Sequence, residues 1–241
     1  MTLSVNQVGD NAFQPGVTAE TYVPDQLIAG DMKLVTDSVT ITGAAAYVRG
    51  TLMGQVLCGA VTSAAKSGGN TGNGTAVVDG TTPRLANVQA GVYQLRCTIA
   101  GTNSATFRLY DPKGRVLKDY AYSGSGASVT TDDQIKVAIT DGSADFAVGD
   151  GFDVTVADVS SLKKYTKAVA TAVDGSADPK AILVDASDCT GGDVTGGVYL
   201  QGEFNPNAIT FDASWTAATA QPPLRQLGIF LKTSVSAADP S

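Results

Sequence analysis

Residues 198–211 read V-Y-L-Q-G-E-F-N-P-N-A-I-T-F, and the fold turns on how this stretch finds a partner. Two β-type runs, 198–200 and 208–211, flank a segment in which Gly202, Asn205, Pro206 and Asn207 supply the backbone freedom and fixed φ of a turn. The pattern predicts a hairpin. Downstream, Pro222 and Pro223 precede a short helical candidate at 224–227, and Gly228 ends it before the strand-like run Ile229, Phe230, Leu231. An isolated hairpin is marginal in water and needs a third strand or a helix over its apolar face. The partner is expected from far away in sequence, at residues 34–57.

That assignment makes the intervening chain an insertion. Val39 and Ile41 alternate with Thr40 and Thr42 in the two-residue period of a half-buried strand. Residues 48–56 form a second β pair interrupted by Gly50 and Gly54, and Ala181 to Val184 is a continuous apolar run suited to a fully buried strand. Between them the texture changes. Residues 64–74, A-A-K-S-G-G-N-T-G-N-G, have the composition of a flexible linker. Clean alternation then follows in Tyr93, Leu95, Cys97, Ile99; in Phe107, Leu109; in Ile135, Val137, Ile139; and in Phe152, Val154, Val156. Such alternation predicts antiparallel sheet with one wet face. Asp111-Pro112-Lys113-Gly114 marks a hairpin turn, and residues 84–89 are a weaker strand. The fold class is therefore mainly β, a β-rich α+β protein. Its expected organisation is an extended arm (1–30), a split β-rich base domain (31–63 and 159–241), and an inserted small antiparallel β-sandwich (64–158).

Composition narrows the function. Hydrophobic residues make up 43% and charged residues 16%, the balance of a folded chain. A net charge of −7 with no basic-aromatic run argues against nucleic acid as partner, and no apolar stretch reaches the roughly 20 residues of a membrane helix. No histidine is present, which removes Ser-His-Asp and Cys-His catalysis and imidazole metal sites. Cys58, Cys97 and Cys189 are odd in number and widely spaced, so they read as buried free thiols. The N-terminal residues lack the charged, apolar and small-residue pattern of a leader, and the chain is expected to be made in a cytoplasm.

Several motifs carry possible chemistry. Ser160-Ser161-Leu162-Lys163-Lys164 contains S-x-x-K twice, but its companion motifs are missing, so a polar linker is expected. Asp141, Asp145, Asp150 and Asp153 crowd together as in a calcium loop without its regular spacing, and Asp-Gly is first a turn signal. The glycines at 68–74 lack the Lys-Ser or Lys-Thr of a phosphate loop. No cofactor and no metal are expected. Tyr120 and Tyr122 could stack on a sugar or pack as ordinary strand residues. Trp215 suits a core or a subunit contact. Thr21, Tyr22 and Val23, ending at Pro24, read either as a strand added to another protein's sheet edge or as a frayed terminus.

Five segments in order also carry a resemblance. These are Y-V-P-D-Q-L-I-A-G-D at 22–31 with L-V-T-D-S-V-T beginning at Leu34, then R-G-T-L-M-G at 49–54, A-I-L at 181–183, V-Y-L-Q-G-E-F-N at 198–205, and L-R-Q-L-G-I-F-L-K at 224–232. Together they resemble the head decoration protein D family of lambda-like tailed phages. The resemblance implies a homotrimer on the outer surface of the expanded capsid, at local threefold positions, clamping the major capsid (coat) protein. It implies that the N-terminal arm orders on the coat sheet, which assigns capsid contact to Thr21, Tyr22, Val23, Pro24 and Leu27. Tyr199, Phe204, Asn205, Trp215 and Phe230 become trimer or base-core contacts. No enzymatic role is implied. The sandwich departs from the compact family pattern. A rival reading makes it a surface-exposed module that recognises carbohydrate or a host surface, with the base as its mount.

Overall fold

The computed structural model describes residues 26–232. In chain order the first strands are β1 (Val35–Ile41), β2 (Ala46–Tyr47) and β3 (Leu52–Gln55). Next come β4 (Cys58–Ala65), β5 (Thr75–Val78), β6 (Gly91–Gly101), β7 (Ser104–Tyr110), β8 (Val116–Ser123), β9 (Ser128–Thr130), β10 (Val137–Thr140) and β11 (Gly151–Asp158). The chain continues with β12 (Lys164–Lys167), β13 (Pro179–Leu183), β14 (Ser187–Asp188), β15 (Val194–Phe204), helix α1 (Ala217–Gln226) and β16 (Ile229–Leu231). The fold is mainly β.

Strands from the two ends of the chain close into a barrel. β1 runs antiparallel to β15 along its whole length and parallel to β12. β12, β3, β13 and β15 follow as successive antiparallel neighbours, which completes a ring. Closure removes the exposed strand edges that invite aggregation. Successive residues of one strand serve opposite faces. Val39, Ile41, Met53, Tyr165, Ala181, Leu183 and Val198 fill the inside. Leu52, Ile182 and Tyr199 point outward, where Ala220 and Leu224 of α1, together with Leu27, Phe204 and Ile229, cover them. Both faces of β13 are thus buried, which is why its sequence is a continuous apolar run rather than an alternating one.

Residues 198–211 do not form a hairpin. They complete an eleven-residue strand, β15, and then leave through a short 3-10 turn at Pro206–Ala208. Gly202 bends the strand where a turn was expected. Its φ is +151°, and a Cβ there would stand 2.6 Å from Leu34 Cδ2. Beyond the turn, Thr210 meets Thr51 in a single parallel bridge. The helix also departs from expectation, because it begins at Ala217 and encloses Pro222 and Pro223. Thr216 and Thr219 cap its start reciprocally, Thr216 Oγ1 accepting from Thr219 N at 3.2 Å and Thr219 Oγ1 from Thr216 N at 2.9 Å. The prolines remove N–H donors that would have bonded Ala218 and Thr219, both of which are exposed and can be hydrated instead.

The middle of the chain forms two further sheets that share one core. The larger has the order β4-β11-β6-β7-β8 and the smaller β5-β10-β9. Tyr93, Leu95, Phe107, Leu109, Ile135, Ile139 and Val154 lie between them at 0% exposure. Phe107 and Phe146 meet edge to face at 5.1 Å. The hairpin at Asp111 to Gly114 forms as expected between β7 and β8. Residues 58–63, expected in the base, instead belong to β4 and pair with β11 through its full length. Small residues such as Gly59, Ala60 and Ser63 gave that strand no apolar signature. Residues 84–89 contribute one bridge, Arg84 to Ile135, in place of a strand.

Candidate functional site

The root of the N-terminal arm is built into the barrel. Ile28 bridges Phe204 antiparallel, Ala29 N donates to Glu203 O at 2.9 Å, and Asn205 N donates to Leu27 O at 2.9 Å. On its other side the same stretch of β15 holds β16, with Gly202 opposite Ile229 and Phe204 opposite Leu231. Three chain segments therefore lie side by side at one end of the barrel. Glu203 extends from this junction and pairs with Lys232 at 2.7 Å. Asn205 fixes the exit by accepting from Asn207 N at 3.0 Å. The sequence G-E-F-N thus supplies in turn a bend, an ion pair, a core ring and a cap.

The expected site residues separate into distinct groups. Thr21, Tyr22, Val23 and Pro24 lie outside the described residues. Leu27, expected in the arm, is instead 3% exposed inside the barrel's outer core, since a leucine side chain gains more from that cluster than from solvent. Tyr199 and Phe204 are buried in the same cluster with ring centroids 5.2 Å apart. Asn205 is a turn residue beside them. Trp215 packs against this cluster while its Nε1 is buried without a hydrogen-bond partner. Phe230 is half-buried on β16, a strand paired on one side only among the described residues. Leu227 and Val35, each 39% exposed, are solvent-facing near that end of the barrel. The stitched segment 27–29 was missed in sequence because Gln26 to Gly30 has no alternation, although Leu27-Ile28 was a usable signal.

The other motifs resolve into structural roles. Lys163 and Lys164, the lysines of S-x-x-K, pair with Asp37 and Asp193, both at 2.7 Å. Each ammonium thus has a carboxylate partner across the surface. The glycine-rich residues 68–74 are a hydrogen-bonded loop rather than a free linker. Thr71 N and Gly72 N donate to the Asp150 carboxylate at 2.9 and 3.0 Å, Ala147 N joins them at 2.9 Å, and Asn70 Oδ1 accepts from Gly151 N. The anion that this loop cradles is the protein's own. Burial pushes the Asp150 pKa up, but these backbone donors and the Lys66 charge more than offset it and hold it below the usual carboxylate range. Asp145 accepts from Asn103 N and Asp153 pairs with Arg96, while Asp141 Oδ1 accepts from Tyr122 and its Oδ2 is buried without a hydrogen-bond partner. Among the described residues no group of three or more His, Cys, Asp or Glu side chains could hold a metal ion. Tyr120 and Tyr122 are 4% and 7% exposed and donate to Asp132 and Asp141, which leaves no ring face for a sugar. All three cysteines are buried free thiols, and burial pushes the Cys58 and Cys97 thiols up.

The comparisons with known proteins place this capped barrel in a class, that of structural proteins of the phage head. The family model described as bacteriophage lambda head decoration protein D matches residues 17–230, a span that takes in both barrel segments and the sandwich between them. The chain belongs to this family, and it is a structural protein of the phage head. No curated protein sequence matches it. Two crystal structures of FlgL from Xanthomonas campestris, in space groups H3 and C2, are similar over part of the chain at 22% and 24% identity. The TM-scores are 0.29 and 0.28, with 46% of this chain and 34% of FlgL covered in each case. The chain thus spans about a third of those FlgL chains, and the likeness carries no argument about this one. No helix among the described residues is long and apolar enough to cross a membrane.

Proposed function

We propose that the protein sits on the outer surface of the expanded phage head as a homotrimer at local threefold positions, where residues before Gln26 engage the major capsid protein. The observation that carries this reading is the anchored root: Leu27 to Ala29 is a strand partner of β15, so load on the arm passes directly into the barrel core. A clamp needs repeated modest contacts on a rigid body, and three linked sites raise the effective concentration of each without tight single contacts. The half-buried Phe230, the exposed Leu227 and Val35, and the open edge of β16 offer one side of the head-to-tail contact that a cyclic trimer needs. An acidic chain also avoids sticking to DNA.

The test adds purified protein to expanded empty capsids of its phage. The full chain is expected to attach as a trimer, with sedimentation giving the stoichiometry. A chain beginning at Gln26 is expected to melt as the full chain does and to lose attachment. Attachment without the arm would overturn its role, and a monomer at working concentration would overturn the trimer.

A further inference from the structure

Asn73-Gly74 is the sole Asn-Gly step in the sequence, and it lies on the end of the sandwich away from the barrel. Along β4, Cys58 faces Asp158 at the joint and Ala65 faces Phe152 at the far end, where the glycine-rich loop begins. There the Asn73 side chain is held at both of its polar atoms. Its Oδ1 accepts from Ala144 N at 2.8 Å, and its Nδ2 donates to Ser143 Oγ at 2.8 Å. The Asn73 N–H also donates to Ala144 O, at 3.2 Å. Gly142 packs directly against this group, since a Cβ there would stand 2.1 Å from Asn73 Oδ1 and 2.7 Å from Gly74 N. Gly142 lies outside the positive-φ glycines, so close approach rather than backbone conformation calls for glycine at this position. The Gly74 N–H makes no hydrogen bond among the described residues.

We propose that Asn73 is a self-modification site at which the fold promotes deamidation. Gly74 N attacks Asn73 Cγ, the new N–Cγ bond replaces the Cγ–Nδ2 bond, and the Gly74 proton ends on the departing amine, which leaves as ammonia. The product is a cyclic succinimide, and water opens it to aspartate or isoaspartate with no other reactant. Each requirement of the first step has a group in place. The attacking nitrogen has no competing acceptor, and glycine leaves it unhindered by a Cβ. The oxygen that gains charge on attack already faces the Ala144 N–H, as in an oxyanion hole. The departing nitrogen touches the Ser143 hydroxyl, which both accepts and donates and so can relay the proton. Asn73 and Ser143 are exposed, which gives water access to the ring. The aspartate product is also accommodated, because Ala144 N–H and a reoriented Ser143 O–H can both donate to a carboxylate. Each conversion adds one negative charge to the far end of the sandwich.

The full chain is incubated at mildly alkaline pH, digested, and followed by mass spectrometry and isoaspartate analysis. Asn73 is expected to convert more than tenfold faster than any other asparagine, and faster in the folded chain than in urea. Ser143→Ala is expected to slow the conversion severalfold with melting unchanged, and Ser143→Thr to restore the parent rate. Faster conversion in urea than in the fold, or acceleration by Ser143→Ala, would mean that the two bonds restrain the amide, and either would overturn the proposal. So would a folded chain that stays unmodified at Asn73. Capsid attachment plays no part in these readings, so their failure leaves the attachment reading standing.

Discussion

The barrel and the sandwich solve the same problem with opposite wiring. The sandwich draws on one continuous stretch, much of it in hairpins, and buries one face of each sheet. The barrel joins segments more than a hundred residues apart, as in Thr40 beside Lys164 and Val39 beside Gly196, and buries strands on both faces. The difference teaches that the sandwich can fold from one continuous stretch of chain, whereas the barrel can form only once both ends of the chain are present.

The severest way to break this comparison is to end the chain after Asp158. The sandwich is expected to keep its own cooperative melting transition, while the barrel transition disappears altogether, as read by calorimetry and near-ultraviolet circular dichroism. Survival of both would mean that β1 and β3 find another partner. A finer cut removes one ring from each core. Phe204→Ala and Phe107→Ala are each expected to destabilise by about 3–5 kcal/mol, the usual loss for an emptied aromatic site. Each should shift only the transition of its own module. Next in size is Gly54→Ala on β3, whose new Cβ would fall 2.0 Å from the Ser176 carbonyl oxygen. Overpacking against backbone is expected to cost about 1–3 kcal/mol, again in the barrel transition alone.

The smallest effect is electrostatic. Asp212, at the barrel side, is held down to about 2 first by the Ser214 backbone N–H and then by Lys167. Its folded pKa lies below the unfolded value of about 4. Its contribution is therefore complete above that pH and is lost as pH falls through about 2. Acid melts should show the barrel weakening over this window, and Asp212→Asn should flatten the change. An unaltered pH profile in that variant would remove Asp212 from the account.

The same contrast governs what could be read in the sequence. Strands β6, β7, β10 and β11 were legible because each has one wet face and alternates accordingly. β13 was legible for the opposite reason, as an unbroken apolar run too short for a helix. The failures share a cause, since tertiary contacts decided what local chemistry left open. Gly202 and the asparagines around Pro206 signalled a turn, yet pairing with three neighbours carried β15 through Gly202 as a bend. Pro222 and Pro223 signalled a helix start at 224, yet a Thr216–Thr219 capping box without the usual acidic residue had begun the helix about two turns earlier. β4 was hidden because its small residues gain their stability from β11 rather than from their own bulk. Of the candidate site, the core placement of Tyr199 and Phe204 was legible from their apolar bulk. The displacement of Leu27 from arm to core was not, because nothing in a single leucine distinguishes the two.

Cys58 and Asp158, where the sandwich begins and ends, are paired neighbours, and the joint is fixed by Leu57 N and Cys58 N both donating to Asp174 O. A graft whose two termini lie equally close could be seated in the same socket without disturbing the barrel's weave. The graft would then be held at a set angle to the barrel by the same short joint.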